Sequence, residues 1–234
     1  MTVETPAPSP ATPSPADRGS GRHRVVIIGS GFGGAITACR LAQAGRSVCL
    51  LERGRRWGKA DFPRTIGELR HAFWNERDRG FLDYHSFQTI DVIQASGVGG
   101  GSLVYFNVQI EAPERTFQRG WPKEVSRQVL NPYYGLVQDM LDAVPLDPPQ
   151  GRKLPPRTTA LREAAQATGR QADLVKIAVY TGPDRLNPHG GVSQSACVYC
   201  GNCMIGCHMQ AVGSVISLGE VTLGILHYVL RRDL

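Results

Sequence analysis

Two short apolar runs near the start of the chain predict the strands of a β-α-β unit. The first, residues 25–28, consists of valine and isoleucine, which favour a buried strand. The second, residues 48–51, has the same character. Between them Ala35–Ala44 is small and apolar, which predicts a helix lying flat on a sheet, and Gly45 is a natural helix stop. Short strands joined by one helix are typical of a parallel sheet.

Three glycines follow the first strand with the spacing G-x-G-x-x-G. Gly29 permits a tight turn, Gly31 lets backbone amides approach a pyrophosphate, and Gly34 lets the helix pack close to the strand. Glu52 stands at the carboxyl end of the second strand, 18 residues after Gly34. That spacing is close to the ~20 residues expected for the acid that binds the adenosine ribose. Strand, turn, helix, strand and acid together predict a dinucleotide site, whereas the glycine motif alone is weak evidence.

The later part of the chain has patterns of several further elements. Asn131 is expected to cap a helix whose first residue is Pro132. The remaining predictions are a helix within 61–80, a strand within 86–95, a helix over 158–168 ended by Gly169, and a strand over 174–180.

A second glycine run, Gly97-Val-Gly-Gly-Gly-Ser102, precedes an apolar segment that ends at Asn107. Four glycines in five positions lose much backbone freedom on folding, which is tolerated where the backbone passes close to a bulky group. The serine hydroxyl and loop amides suit phosphate or ribityl oxygens, and the asparagine suits a ring edge. A flexible linker is the alternative, but the apolar segment directly afterwards favours a packed loop in contact with a cofactor.

The two glycine motifs together resemble the glucose-methanol-choline (GMC) oxidoreductases, nearest to their cholesterol-oxidase-like branch. Smaller matches are Ala112-Pro-Glu114 and Asn131-Pro-Tyr-Tyr134 leading to Met140-Leu141. The resemblance covers residues 24–211. It implies an incomplete α/β fold with a Rossmann-like FAD-binding domain of GMC type and a Cys-rich loop. Members bind FAD and oxidise an alcohol, often a sterol, to a carbonyl; no catalytic residue is assignable here.

By this resemblance, one group of residues holds the cofactor. It comprises Gly29, Ser30, Gly31, Phe32, Gly33, Gly34, Glu52 and Arg53 near the ADP half, and Gly97, Gly99, Gly100, Gly101, Ser102 and Asn107 along the pyrophosphate and flavin. NAD is the alternative on the first motif alone, since that motif serves both cofactors, and the second glycine run favours FAD.

Composition sets broader limits on function. The chain has 234 residues, 41% of them hydrophobic, and its net charge of +6 is spread without a nucleic-acid motif. Residues 1–23 are rich in Pro, Ala, Ser and Thr and predict a disordered tail. That tail lacks the basic start and apolar run of a secretion signal, so a cytoplasmic location is expected.

The expected segments are a cofactor core over 24–110, an extension over 111–196, a Cys cluster over 197–207 and a divergent tail over 208–234.

Four cysteines follow the spacing C-x2-C-x2-C-x3-C, which is that of bacterial ferredoxins. They are Cys197, Cys200, Cys203 and Cys207. A [4Fe-4S] cluster and a tetrahedral zinc site are both open on this spacing. The alternative function is therefore an iron–sulfur electron-transfer protein with a nucleotide-binding domain. In the ferredoxin motif a proline follows the fourth cysteine, whereas His208 follows it here. This difference favours a structural or metal-binding loop in a flavoprotein over an electron-transfer module.

The last residues depart from the family pattern after Ala211. The apolar run over 211–230 carries Glu220 near its centre and is expected to form a terminal helix or disordered tail rather than a membrane span. A frameshifted or truncated reading frame would explain the divergence and the early end. By the family resemblance, we then expect the chain to lack the catalytic histidine region and to have little or no turnover by itself.

Overall fold

The computed structural model describes residues 23–75, 79–145, 153–188, 193–209 and 211, together with the backbone of 226–229. The helices and strands are, in chain order, β1 (Val25–Ile28), α1 (Phe32–Gln43), β2 (Val48–Glu52), α2 (Ile66–Leu69), β3 (Leu82–Ser86), β4 (Asp91–Ala95), α3 (Arg127–Leu141), β5 (Val144–Pro145), α4 (Pro156–Ala167), β6 (Lys176–Ile177), β7 (Arg185–Leu186), β8 (Ser193–Gln194) and β9 (Leu226–Val229). Most of residues 1–23, the predicted disordered tail, lie outside the described part.

The predicted β-α-β unit is present. Strands β1 and β2 are parallel, with Val25 opposite Val48, and α1 crosses between them. The helix packs on the sheet through Ala38, which is fully buried against a cluster containing Val48 and Leu50. It ends at Ala44 and Gly45, where Gly45 has the positive φ of +71° that a glycine stop supplies. The boundaries predicted from the apolar runs agree with these elements to within three residues.

The C-terminal segment contains a strand rather than the expected helix or disordered tail. Leu226–Val229 forms β9, which pairs in parallel with β2, and the order in this sheet is β1-β2-β9. The prediction is therefore wrong for residues 226–229, because pairing with the apolar β2 selects the extended conformation. The rest of the apolar run beyond Ala211 lies outside the described residues.

A separate antiparallel hairpin, β3-β4, leads into the second glycine run. Its start contributes to a core cluster with Phe62, Phe81 and Leu103 at the centre. Phe81 is fully buried, and its ring meets the Phe62 ring edge-on at 5.5 Å between centroids. Leu103 belongs both to this cluster, called the hairpin core, and to the second glycine loop. The hairpin core therefore packs against that loop and supports it. The strand predicted within 86–95 is β4; its partner β3 was not predicted.

The helix predicted within 61–80 is only a short helical segment. It comprises α2 and a 3₁₀ turn at Arg70–Ala72. Ile66, the first residue of α2, is 90% exposed. The chain leaves the helical conformation at Phe73, which pairs with Leu82 in an isolated bridge. Tertiary contact with the hairpin therefore overrides the helical spacing.

Helix α3 begins five residues earlier than predicted. Ser126 is its N-cap, and the serine side chain accepts a hydrogen bond from the Val129 N–H at 3.3 Å. Asn131 and Pro132 lie inside the helix, where the asparagine oxygen instead accepts from the Arg127 guanidinium. The Asn-Pro pair was misread as a helix start because Ser126 supplies an equally good cap upstream. Helix α4 and its end at Gly169 agree with the prediction, whereas the strand predicted over 174–180 is reduced to β6.

Candidate functional site: two glycine loops at the end of the parallel sheet

The turn between β1 and α1 has the steric features that its glycines predict. Gly29 has φ of +90°, and its N–H donates to the Leu51 carbonyl at 2.7 Å, which ties the turn to β2. A Cβ on Gly34 would overlap the Gly29 carbonyl oxygen, so only glycine lets α1 start this close to the strand. The turn is therefore narrow because two of its residues lack side chains.

The first turn of α1 presents unpaired backbone donors. Gly31 is the N-cap, no side chain caps the helix, and its first turn holds no acidic residue. Four N–H groups at a helix start lack intrahelical partners, and the helix dipole adds partial positive charge there. This combination binds phosphate well.

Ser30 and Glu52 connect the turn to the end of β2. Glu52 is 7% exposed, and its Oε2 accepts hydrogen bonds from the Ser30 N–H at 2.9 Å and the Ser30 hydroxyl at 2.7 Å. Its Oε1 accepts from the Gly54 N–H at 3.0 Å. Three donors inside the protein thus hold the carboxylate that the sequence assigned to the ribose. Glu52 braces the site in this structure, and its contact with a ribose stays a prediction.

The same serine joins the two glycine loops. The Gly99 N–H donates to the Ser30 hydroxyl oxygen at 2.9 Å, although the two residues are 69 positions apart in the chain. Gly100 then lies against Gly31, since a Cβ on Gly100 would sit 2.8 Å from the Gly31 Cα. Gly99 and Gly100 both have positive φ, +108° and +52°. The structure therefore brings together the glycine motifs that the sequence kept apart.

Residues behind the second loop fix its position. The Val98 N–H donates to the Arg55 carbonyl at 3.1 Å, and a Cβ on Gly54 would overlap the backbone of Gly97. The loop continues as a 3₁₀ helix over Gly100–Leu103. It is thus a packed element rather than a flexible linker, as the apolar segment after it predicts.

Ser102 and Asn107 occupy different environments. Ser102 is buried, and its hydroxyl donates to the Gly99 carbonyl at 2.9 Å, so in this structure it stabilises the loop itself. Asn107 is fully buried, with φ of +62°, and neither polar atom of its side-chain amide has a hydrogen-bond partner. A buried amide in strained backbone without a partner is the kind of arrangement that functional sites retain.

Phe32 and Gly101 lie next to each other, since a Cβ on Gly101 would sit 3.9 Å from the Phe32 ring. The Phe32 ring meets the Tyr105 ring edge-on at 5.3 Å between centroids. Burial raises the pKa of Tyr105 to about 12, so its hydroxyl stays protonated at neutral pH. Gly33 and Gly101 are exposed. Glycine backbone from both loops is therefore exposed at the predicted site.

Arg53, predicted near the cofactor, forms an ion pair with a carboxylate. Its guanidinium forms an ion pair with Asp83 on β3 and lies over the Trp74 ring at 4.8 Å from the centroid. Burial alone would raise the pKa of Asp83, but hydrogen bonds and charge from Arg53 and His85 hold it below its usual range. Arg53 thus links β2 to the hairpin, and a cofactor contact for it stays a prediction.

The four cysteines surround one small cavity beside the hairpin core. The cavity has a volume of about 20 Å³, and all four residues line it. Burial, followed by the neighbouring thiols, raises the pKa of Cys203. The segment packs closely on the core, because a Cβ on Gly206 would overlap the Phe62 ring. Within the described ranges, however, no three or more His, Cys, Asp or Glu side chains form a group able to hold a metal ion. The predicted metal site at Cys197, Cys200, Cys203 and Cys207 is therefore not supported, although the four residues share one cavity.

The sequence analysis did not select several residues that support the two glycine loops. Trp57 packs edge-on against Phe81 at 4.9 Å between centroids, and the Arg55 guanidinium lies 3.6 Å above the Trp57 ring centroid. Asp83 was not selected either. Its one available signal was an acidic residue between the apolar Leu82 and the aromatic Tyr84 on β3.

The chain belongs to a family of FAD dependent oxidoreductases, whose model matches residues 24–171. The matched region includes both glycine loops, Glu52 and Asn107. The cholesterol oxidase of Mycobacterium tuberculosis is 32% identical over 83% of this chain and 36% of that protein. The cholesterol oxidase of Acinetobacter baumannii is 29% identical over 80% of this chain and 35% of that protein. A long-chain-alcohol oxidase of Arabidopsis thaliana is 26% identical over 51% of this chain and 16% of that protein.

These relatives confirm the resemblance to GMC oxidoreductases. A GMC-type oxidoreductase of M. tuberculosis is also 30% identical to this chain over the matched residues. The chain spans about a third of the length of the cholesterol oxidases that it matches. Among the described residues, no helix has the length and apolar character needed to cross a membrane.

Proposed function

We propose that this chain supplies the FAD-binding part of an oxidoreductase that acts on CH–OH groups. FAD would bind in Rossmann-like manner outside the carboxyl ends of β1 and β2, where a parallel sheet presents its ligand site. The observation that carries the proposal is the contact between Gly31 and Gly100. Two glycine loops from distant parts of the chain meet there without side chains between them.

This contact fits a flat, phosphate-bearing cofactor for a steric reason. A side chain at Gly100 would press against the backbone of Gly31 and force the two loops apart, whereas bare backbone offers N–H donors at close range. The uncapped start of α1 adds the donors and dipole that favour the negative charge. The loops thus match the middle of a dinucleotide.

Two polar side chains suit the ends of the cofactor. Glu52 accepts one hydrogen bond at Oε1, which leaves acceptor capacity for a ribose hydroxyl. The orphaned amide of Asn107 has both a donor and an acceptor to offer to the polar edge of a flavin. Glu52 and Asn107 are therefore proposed as ADP-side and flavin-side contacts.

When bound, FAD would supply the acceptor for the hydride that leaves the carbinol carbon of an alcohol. The residues described here bind and orient the cofactor, and the hairpin core beneath the loop excludes water from one side. The donor class is proposed from the relatives, whose names specify cholesterol and long-chain alcohols.

Flavin titration of paired glycine variants tests the proposal. Gly100→Ala puts a methyl group against Gly31, whereas Gly120→Ala introduces the same positive-φ strain where a Cβ meets nothing within 4 Å. We expect Gly100→Ala to weaken FAD binding at least about tenfold, the equivalent of ~1.4 kcal/mol, with Gly120→Ala close to the parent chain. Equal affinities for all three proteins would contradict the assigned site.

Anaerobic reduction tests whether the chain supplies only the FAD-binding part. The chain loaded with FAD is mixed with cholesterol or a long-chain primary alcohol, and loss of the oxidised-flavin absorbance is followed. Because no catalytic residue is assigned in this chain, we expect FAD to stay bound and oxidised with both donors. Bleaching by either donor would contradict a role limited to cofactor binding and would assign oxidation of that donor to the chain itself.

A further inference from the structure

A cavity lies between helices α1 and α3, beside the proposed cofactor site. It has a volume of about 280 Å³ and is lined mainly by apolar side chains of the two helices. They include Ala35, Ile36 and Cys39 of α1 and Leu136, Val137 and Met140 of α3. Of all the lining residues, Phe32 alone belongs to the group predicted to hold FAD. This interhelical cavity is therefore a separate space that adjoins the start of α1.

The walls of the interhelical cavity are apolar and partly open to solvent. Ile36 is 42% exposed, Leu136 is 49% exposed and Val137 is 38% exposed. Cys39 on the α1 wall is buried, and burial raises the pKa of its thiol although the charge of Arg40 opposes that effect. The thiol is thus uncharged at neutral pH. Filling the cavity with an apolar group would remove these side chains from water, which is favourable.

Arg40 is the one lining residue that carries a charge. Its guanidinium donates to Gln43 Oε1 at 3.0 Å and to Met140 Sδ at 3.8 Å. The ion pairs found among the described residues do not involve it. A guanidinium has five N–H donors, and a thioether sulfur is a weak acceptor. Arg40 therefore keeps donors for an anionic group at the cavity.

We propose that the interhelical cavity binds a fatty carboxylate, with the acyl chain between α1 and α3 and the carboxylate on Arg40. The volume lies between the ~150 Å³ of a cavity that holds benzene and the ~300 Å³ at which pockets for drug-sized ligands begin. It suits one unbranched chain of about ten carbons and is small for the fused rings of a sterol. Arginine can hold a carboxylate through two parallel hydrogen bonds, which gives the charged end a specific partner.

The chemistry of this ligand separates the cavity from the proposed oxidation. A carboxylate has no carbinol C–H to give up as hydride, so the cavity is a binding site and not a second site for the alcohol donor. The site also does not depend on the glycine loops, since Gly31 and Gly100 do not line it. Failure of FAD binding and failure of carboxylate binding are therefore distinguishable.

Equilibrium dialysis of three probes against the purified chain tests the proposal. Decanoate and decanol have the same number of carbons and differ at the polar end, so decanoate should bind at least about fivefold more tightly. Octanoate lacks two methylenes and should bind at least about tenfold more weakly than decanoate, because each buried methylene contributes about fourfold.

A pair of tryptophan variants on α3 locates the acyl chain. Val137→Trp fills space between the helices, whereas Val129→Trp puts the same side chain on a valine that is 53% exposed and does not line the cavity. The affinity for decanoate should fall at least about tenfold for Val137→Trp and stay near that of the parent for Val129→Trp. Circular dichroism of each purified variant checks that it is folded.

A pair of arginine variants locates the carboxylate. Arg40→Gln should remove the preference for decanoate over decanol while decanol binding stays near that of the parent. Arg46→Gln, on the exposed segment after α1, should keep the preference. This comparison separates the specific contact from a general attraction of the basic chain for anions.

Two buried cysteines report the position of the ligand independently. Cys39 lines the cavity, whereas Cys49 lies in β2 and does not line it. Both are alkylated with N-ethylmaleimide, and peptide mass mapping gives the rate at each. Saturating decanoate should lower the ratio of the Cys39 rate to the Cys49 rate at least about fivefold, because the ligand covers one thiol only.

Several results would overturn the inference. They are equal affinities for decanoate and decanol, equal effects of Val137→Trp and Val129→Trp, a preference that persists in Arg40→Gln, or an unchanged ratio of the two alkylation rates. A chain that sediments as a dimer and fails to bind decanoate would assign the apolar walls to a second copy instead.

Discussion

At the scale of single residues, Glu52 has a structural role in addition to the ribose contact that its position predicts. Its two oxygens accept hydrogen bonds from Ser30 and Gly54, and through Ser30 the carboxylate is connected to Gly99. The glycine loops therefore depend on this carboxylate even before any ligand binds.

Replacing the carboxylate tests that dependence. Glu52→Gln turns one acceptor into an N–H₂ donor that faces the donors of Ser30 or Gly54. We expect the free energy of unfolding, measured by urea denaturation without added FAD, to fall by about 1–3 kcal/mol. Glu163→Gln, on the exposed surface of α4, is the matched control and should change little. Unchanged stability of Glu52→Gln would leave Glu52 with a ligand role only.

Asp83 gives the molecule a pH-dependent contact. Arg53 and His85 hold the pKa of Asp83 below its usual range, so the folded chain favours the ionised carboxylate. The contribution to stability is present above the unfolded-state pKa of about 3.9 and is lost as pH falls through the lower folded-state value. Because Arg53 is half exposed, the pair is expected to contribute about 1 kcal/mol.

Urea denaturation of Asp83→Asn at two pH values measures this contribution. The variant should be less stable than the parent near neutral pH, and the difference should shrink below about pH 4. Asp139→Asn, on the exposed side of α3, should show no such difference. A deficit of the same size at both pH values would assign the effect to packing instead of charge.

Residues with a steric requirement could be predicted from the sequence, and residues that depend on distant partners could not. The spacing of Gly29 and Gly34 encodes local geometry, so their roles in the turn followed from the motif. The three donors on Glu52 and the buried, unpartnered amide of Asn107 depend on which segments meet in space. No local pattern contains that information.

At the scale of elements, the junction of β1 and α1 is set by the absence of a side chain at Gly34. A Cβ there would overlap the Gly29 carbonyl oxygen, whereas a Cβ on the neighbouring Gly33 meets nothing within 4 Å. Two adjacent glycines of one helix thus have opposite tolerance for alanine.

Alanine substitutions at the two positions test the junction. Gly34→Ala should lower the free energy of unfolding by about 1–3 kcal/mol because the helix must move off the strand. Gly33→Ala should raise it by up to about 1 kcal/mol, the helix-propensity gain of alanine over glycine. Urea denaturation measures the free energy of unfolding of both variants. A similar decrease in that free energy for both would argue against close packing at Gly34.

Elements with strong local patterns were predicted well, and elements that depend on tertiary pairing were not. The β-α-β unit and α4 follow from periodicity and from their glycine stops. The stretch before the hairpin has helical spacing, yet Phe73 leaves the helix to pair with Leu82. In the same way β9 forms because β2 offers a partner, although its own sequence favoured a helix or a tail.

At the scale of the whole molecule, the parallel sheet and the hairpin core meet at the two glycine loops. The sheet contributes the turn and the start of α1, and the hairpin core holds the second loop through Leu103 and Phe81. The family match covers this whole region, so the cofactor class agrees with the geometry. The four cysteines pack beside the same core without forming a metal-binding group in the described part of the chain.

The visible absorption spectrum of the purified chain tests the central claim most directly. The protein is incubated with excess FAD and passed through gel filtration, and the spectrum of the protein fraction is recorded. The account predicts the two resolved bands of bound oxidised flavin, lost or much reduced in Gly100→Ala and kept in Gly120→Ala. A colourless protein fraction, or a broad iron–sulfur shoulder in place of the flavin bands, would contradict it.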